Sequence, residues 1–153
     1  MSRADMRAAP LRDTARLTKP LVQEAPMLYI KETQKSVDQA FHDLEASIKQ
    51  HGFGLLHSYD FKQTLKEKGF DLSNECRVLE VCNPKQACEV LQMDMAINMA
   101  LPCRISIYED KGKTFIGMVP PSVLLGLISS SSGLQEAAES VEQSTRQIID
   151  DAV

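Results

Sequence analysis

The stretch from Cys103 to Glu109 restricts the fold more than any other. Cys103, Ile105 and Ile107 alternate with Arg104, Ser106 and Tyr108. Successive side chains of a strand point to opposite faces, so this pattern predicts a half-buried strand, dry on one side and wet on the other. Asp110-Lys111-Gly112 follows as a turn, and Lys113 to Val119 returns as the hairpin partner. Pro120-Pro121 then breaks the sheet, because proline cannot donate to a ladder.

The segments upstream supply more strands and the helices to cover them. Met27 to Lys31, Phe53 to Tyr59 and Arg77 to Val81 read as strands. Ser36 reads as an N-cap, with Gln39 three places on as a capping box. Val37, Ala40, Phe41, Leu44 and Ile48 follow at helical spacing, which predicts an amphipathic helix over 36 to 51, ended by Gly52. Asp60 is the cap expected for a short helix over 61 to 68, closed by Gly69. Pro84 suits a first helical position, and a short helix continues to Gln92. Met93 to Leu101 reads as irregular, Met-rich and apolar, and Ser122 as the cap of a short helix through Ile128. The sum is an α+β two-layer sandwich: a mostly antiparallel sheet of about five strands with helices on one face.

Residues 1 to 26, punctuated by Pro10, Pro20 and Pro26, read as a flexible or surface-draped arm. Residues 27 to 128 form the expected core domain. Ser129 to Ser132 with Gly133 reads as a flexible joint leading to a final amphipathic helix over 134 to 150. Two readings of that helix stand. It packs on its own sheet, or it faces a second copy in a dimer.

Charge and composition exclude several classes. A net charge of −4, no Trp and 5% aromatics give neither the basic stripe of a nucleic-acid binder nor many stacking platforms, so no nucleic-acid partner is expected. No stretch approaches the roughly 18 apolar residues of a membrane span. Arg3, Arg7, Arg12 and Arg16 recur at near-helical spacing, as in a transit peptide, but Asp5 and Asp13 are acids that such peptides avoid. The expected address is the cytoplasm, where Cys76, Cys82, Cys88 and Cys103 remain free thiols.

Few residues are arranged for chemistry. Gly52-Phe53-Gly54 lacks a third glycine and opens a strand, so it fails the dinucleotide fingerprint. His42, His51 and His57 are dispersed, and no spacing matches a metal site, so neither metal nor cofactor is expected. Glu80 lies inside the apolar Val78-Leu79-Glu80-Val81, where its charge needs solvent or a partner. The candidate site is Cys82-Asn83-Pro84 with Leu101-Pro102-Cys103. Cys82 ends a strand just before a helix, whose N-terminal partial charge stabilises a thiolate. If the two strands are antiparallel neighbours, Cys82 and Cys103 approach one another.

Gly52-Phe53-Gly54, then Leu65-Lys66-Glu67-Lys68, then Cys82-Asn83-Pro84 and Leu101-Pro102-Cys103-Arg104-Ile105 resemble, in that order, the domain of unknown function 302 family over about 27 to 122. The resemblance implies a small α+β domain, similar to a TATA-binding-protein-like sandwich, and a dimer. It implies no activity, and it reaches neither the leader nor the tail beyond the serine run.

Three functions follow as expectations. The first is a non-enzymatic, homodimeric module for a small apolar or thiol ligand, held at Cys82, Asn83, Pro84, Pro102 and Cys103, with Met93, Met95, Met99 and Met118 lining an apolar concavity. The second is a thiol redox enzyme or sensor using Cys82 and Cys103, which requires an exposed thiol of low pKa. The third is a structural or regulatory dimer joined by the C-terminal helix. On that last reading, removal of residues 129 to 153 leaves folded monomers.

Overall fold

The computed structural model describes residues 27–153, so the expected arm over 1 to 26 lies outside the described residues. The chain runs β1 (Tyr29–Thr33), α1 (Val37–Gln50), β2 (Gly54–Asp60), α2 (Phe61–Glu67), β3 (Cys76–Cys82), α3 (Pro84–Met93), a 3-10 helix (Met95–Ala100), β4 (Cys103–Asp110), β5 (Lys113–Met118), α4 (Pro121–Ile128) and α5 (Ser132–Ala152). The five strands make one sheet in the order β1-β5-β4-β3-β2. Every neighbouring pair is antiparallel. This is the α+β architecture that the alternation in β4 predicts.

Local signals account for most of the elements. Ser36 caps α1 by accepting from the Gln39 N–H, and Asp60 and Asn83 cap α2 and α3 in the same way. Gly52 follows α1 with φ of 74°, a conformation that glycine adopts without steric cost. Asp110 pairs with Lys113, so the hairpin loop is Lys111-Gly112, and both residues have positive φ. That is the two-residue loop whose twist matches the flanking strands.

One face of the sheet is sealed. Leu79, Val81, Ile105, Ile107 and Ile116 point to it and are fully buried. They pack against Ala40, Leu44 and Ile48 of α1 and Ile148, Ile149 and Ala152 of α5. A smaller cluster of Val90, Ile97, Leu125, Leu134 and Ala138 joins α3, the 3-10 helix, α4 and the first half of α5. The opposite sheet face gives no side chain to either cluster.

Several expectations change. The first strand begins at Tyr29, two residues later than expected, because Tyr29 pairs with Met118 and β5 ends there. Ser122 does not cap α4, which starts at Pro121 without a side-chain cap; its hydroxyl donates instead to Glu142 Oε1 at 2.9 Å. Within the Met-rich run, Met95–Ala100 is a 3-10 helix capped by Asp94. The serine run is not a loose joint. The Ser131 hydroxyl accepts from the Leu134 N–H, and Ser132 is already helical.

The C-terminal helix belongs to the core. The Ser47 hydroxyl donates to the Ile148 carbonyl at 2.7 Å, buried between α1 and α5. Lys35 Nζ donates to the Ala152 carbonyl at 2.9 Å, and His51 Nε2 lies 2.7 Å from Asp151. The Tyr29 hydroxyl donates to Asp150. Of its two readings, the structure shows the helix on its own sheet, with its apolar face already used. Removal of residues 129 to 153 is therefore expected to unfold the domain, with loss of the cooperative thermal transition. The milder Ile148→Ala is expected to cost about 2–5 kcal/mol in urea titrations.

Candidate functional site

The two hydrophobic clusters do not merge. Between them, at the end of the sheet where β3 stops and β4 starts, lies a cavity of about 290 Å³. Phe53 and Val81 form its wall from the large cluster, and Val90, Leu125 and Ala138 from the small one. Native interiors leave few voids larger than a water molecule. Leu56 and Asn98 on the rim of this one are exposed, so it opens between β2 and the 3-10 helix.

The sequence placed the site at this end of the sheet, and the structure brings most of the named residues together. Strands β3 and β4 are antiparallel neighbours, with Val81 opposite Cys103. Cys82, Asn83, Pro102 and Cys103 all line the cavity. Pro84 does not; it is exposed at the start of α3. The expected methionine lining also changes. Met93 and Met95 line neither this cavity nor its neighbour, and are exposed because they follow the last buried turn of α3. Met99 and Met118 line an adjoining second cavity of about 380 Å³ that shares Pro102 and Cys103 with the first.

The thiols are not activated. Burial pushes the Cys103 thiol up to about 11, helped by the neighbouring Cys82. Burial also raises Cys82, against the lowering that the helix N-terminus was expected to bring. Apolar walls disfavour a charged sulfur, which raises the value. Cys76 is raised as well, by burial and then by Asp60, and all four cysteines are free. A low-pKa exposed thiol is thus absent at the Cys82–Cys103 pair.

The other candidates lie apart from the cavity. His42 is exposed on α1, His51 pairs with Asp151, and His57 meets Tyr59 edge-on with ring centroids 4.5 Å apart. Glu80 sits on the face that no buried cluster claims, between Arg104 on β4 and His57 on β2 in register. Among the described residues, no group of three or more His, Cys, Asp or Glu is placed to hold a metal ion.

Sequence reasoning missed the wall that α3 supplies. Ala87, Val90 and Leu91 share one helix face at i, i+3 and i+4, a spacing that marks an apolar stripe. It missed Gln86 as well. The Asn83 carboxamide accepts from the Gln86 backbone N–H at 3.2 Å, while the Gln86 Nε2 donates to the Ser140 hydroxyl at 3.3 Å. Gln86 Oε1 is buried and has no hydrogen-bond partner.

A family model described as "Domain of unknown function DUF302" matches residues 29–152. The chain belongs to this family. The match runs well past the expected limit near 122 and takes in α5, in keeping with that helix's place in the core. The fold is similar to that of the uncharacterized conserved protein DUF302 from Bacillus stearothermophilus, a crystal structure. The two share 33% identity and a TM-score of 0.80, over 84% of this chain and 100% of that one. No curated protein matches the sequence.

The thiol environment carries a pH dependence. Cys103 has its folded pKa raised from an ordinary 9.0, so stability is intact below pH 9.0 and falls as the pH rises toward about 11. Between about pH 8 and pH 10.5 the loss expected from this group is on the order of 1–2 kcal/mol. Urea midpoints at the two pH values check it, and Cys103→Ala is expected to show the smaller fall.

Proposed function

We propose that this DUF302 domain is a non-catalytic binding module that takes a small apolar molecule into the cavity between its two hydrophobic clusters. The observation that carries this reading is the cavity itself: about 290 Å³, walled by aliphatic and aromatic side chains, and opening at Leu56 and Asn98. Ligand pockets are clefts of roughly 300–1,000 Å³, mainly apolar, with a few polar groups that orient the guest. This one lies at the small end of that range.

The lining favours binding over turnover. Its polar members are the amides of Asn83, Gln86 and Asn98 and the two thiols. Raised thiols hold their protons at neutral pH, so neither is a ready nucleophile or an exchange partner for a thiol compound. An apolar guest instead removes wall area from water at ~25 cal/mol per Å².

Toluene, added to the protein labelled at its methyl groups, is expected to shift the Val90 and Leu125 signals in NMR spectra. Ala87→Phe fills the space from α3, and is expected to abolish those shifts while leaving the other methyl signals in place. Unmoved Val90 and Leu125 methyls in the parent protein count against the cavity as a binding site.

A second reading, association of two copies, is favoured by the sheet face that neither cluster claims. Tyr59, Val78, Tyr108 and Phe115 lie there, with Tyr108 stacked on Phe115 at 5.4 Å between centroids. Glu80 and Arg104 are cross-strand neighbours on that face. A two-fold axis through it sets each Arg104 against the Glu80 of the second copy, a self-complementary pattern. Sedimentation velocity is expected to show a dimer, Arg104→Glu a monomer, and Arg104→Glu with Glu80→Arg a dimer again.

A further inference from the structure

The cavity reading leaves open what kind of molecule enters, and the next step rests on that reading. We infer that the occupant is a small uncharged amphiphile with a hydroxyl or amide N–H held by the side chain of Gln86.

Charge comes first. Among the described residues, no Lys, Arg, His, Asp or Glu lines this cavity. An ionised carboxylate, phosphate or ammonium drawn inside meets no counter-charge, and burying an unpaired ion is strongly unfavourable. The thiols supply none either, since burial keeps Cys82 and Cys103 protonated. The neighbouring cavity differs, because Arg104 is in its wall. An anionic guest has a better place there than here, and a cationic one has a counter-charge in neither.

The polar groups then set the head. Asn83 uses its carbonyl oxygen on the α3 cap, which leaves only N–H donors on its side chain, and Asn98, whose Nδ2 donates to the Met95 carbonyl, stands exposed on the rim. Gln86 differs from both in offering a buried acceptor. Its Nε2 is tied by a 3.3 Å bond to Ser140, and its Oε1 is buried without a partner. A buried acceptor left unpaired is unfavourable and uncommon in folded proteins. The last side-chain torsion of glutamine is broad and soft. A small turn of the amide therefore presents Oε1 to a donor inside the cavity. What it lacks is an O–H or N–H, and an aliphatic body attached to that donor fills the rest of the space against Val90 and Leu125.

A matched set of probes tests this on the full chain: octanol, its isomer heptyl methyl ether, octanoate and octylammonium, each titrated calorimetrically. Octanol is expected to bind about tenfold tighter than the ether, which has the same atoms but no donor. It is expected to exceed both ions by at least as much. Gln86→Met is expected to erase the preference for octanol over the ether. Equal binding of octanol and ether, tighter binding of either ion, or a preference that survives in Gln86→Met overturns the role of Gln86 and leaves the cavity reading intact. Failure of all four probes to bind, together with unmoved Val90 and Leu125 methyls in toluene, overturns both.

Discussion

A five-stranded sheet with one continuous aliphatic face is unstable in water until that face is covered. Leu79, Val81, Ile105, Ile107 and Ile116 make such a face here, and α1 and α5 together cover it. Neither helix does so alone. They meet along Ser47 and Ile148, and the last turn of α5 is held from three sides by Tyr29, Lys35 and His51. The chain's end is therefore tied to its first described strand. The polar contacts matter as direction more than as energy, since exposed pairs contribute little. Asp151 illustrates this: its hydrogen bonds to His51 and Gln147 hold its carboxyl below the ordinary value, although the group is exposed.

The site follows from how far that cover extends. Helices α1 and α5 seal the middle of the sheet. Its end beyond Val81 and Cys103 is left to shorter pieces: α3, the 3-10 helix and α4. These build their own small cluster around Leu125 and Ala138, and the seam between the two clusters is the cavity. A seam walled by two aliphatic surfaces desolvates whatever lies in it. For that reason Cys103 keeps its proton to high pH and Gln86 Oε1 remains unpaired. The same dryness that suits an apolar guest argues against thiolate chemistry.

Much of the fold was legible because its signals are short-range. The alternation from Cys103 to Tyr108 identified the wet and dry faces of β4. Ser36 and Asp60 each cap the helix that follows, a contact spanning three residues. The antiparallel arrangement of β3 and β4 was the stated condition for Cys82 and Cys103 to approach, and it holds. The errors are long-range ones. Consecutive serines look like a linker in composition, yet Ser131 is a cap once α5 is docked. Met93 and Met95 look like lining, yet they lie on the wet side of their segment. Pro84 stands two residues after Cys82 in sequence but leads away from the cavity as α3 begins.

Periods, caps and turns are written in the order of the residues, and through them an α+β domain with one buried sheet face. Those features depend on residues within about one helical turn or one strand of each other. Folding in three dimensions adds that α5 completes the core, that two clusters stop short of one another, and that the thiols between them are held neutral. Each of those outcomes is a sum over side chains distant along the chain: Val81 with Val141, Leu101 with Leu125, Ser47 with Ile148. Burial is a property of that assembled sum, and no local pattern contains it.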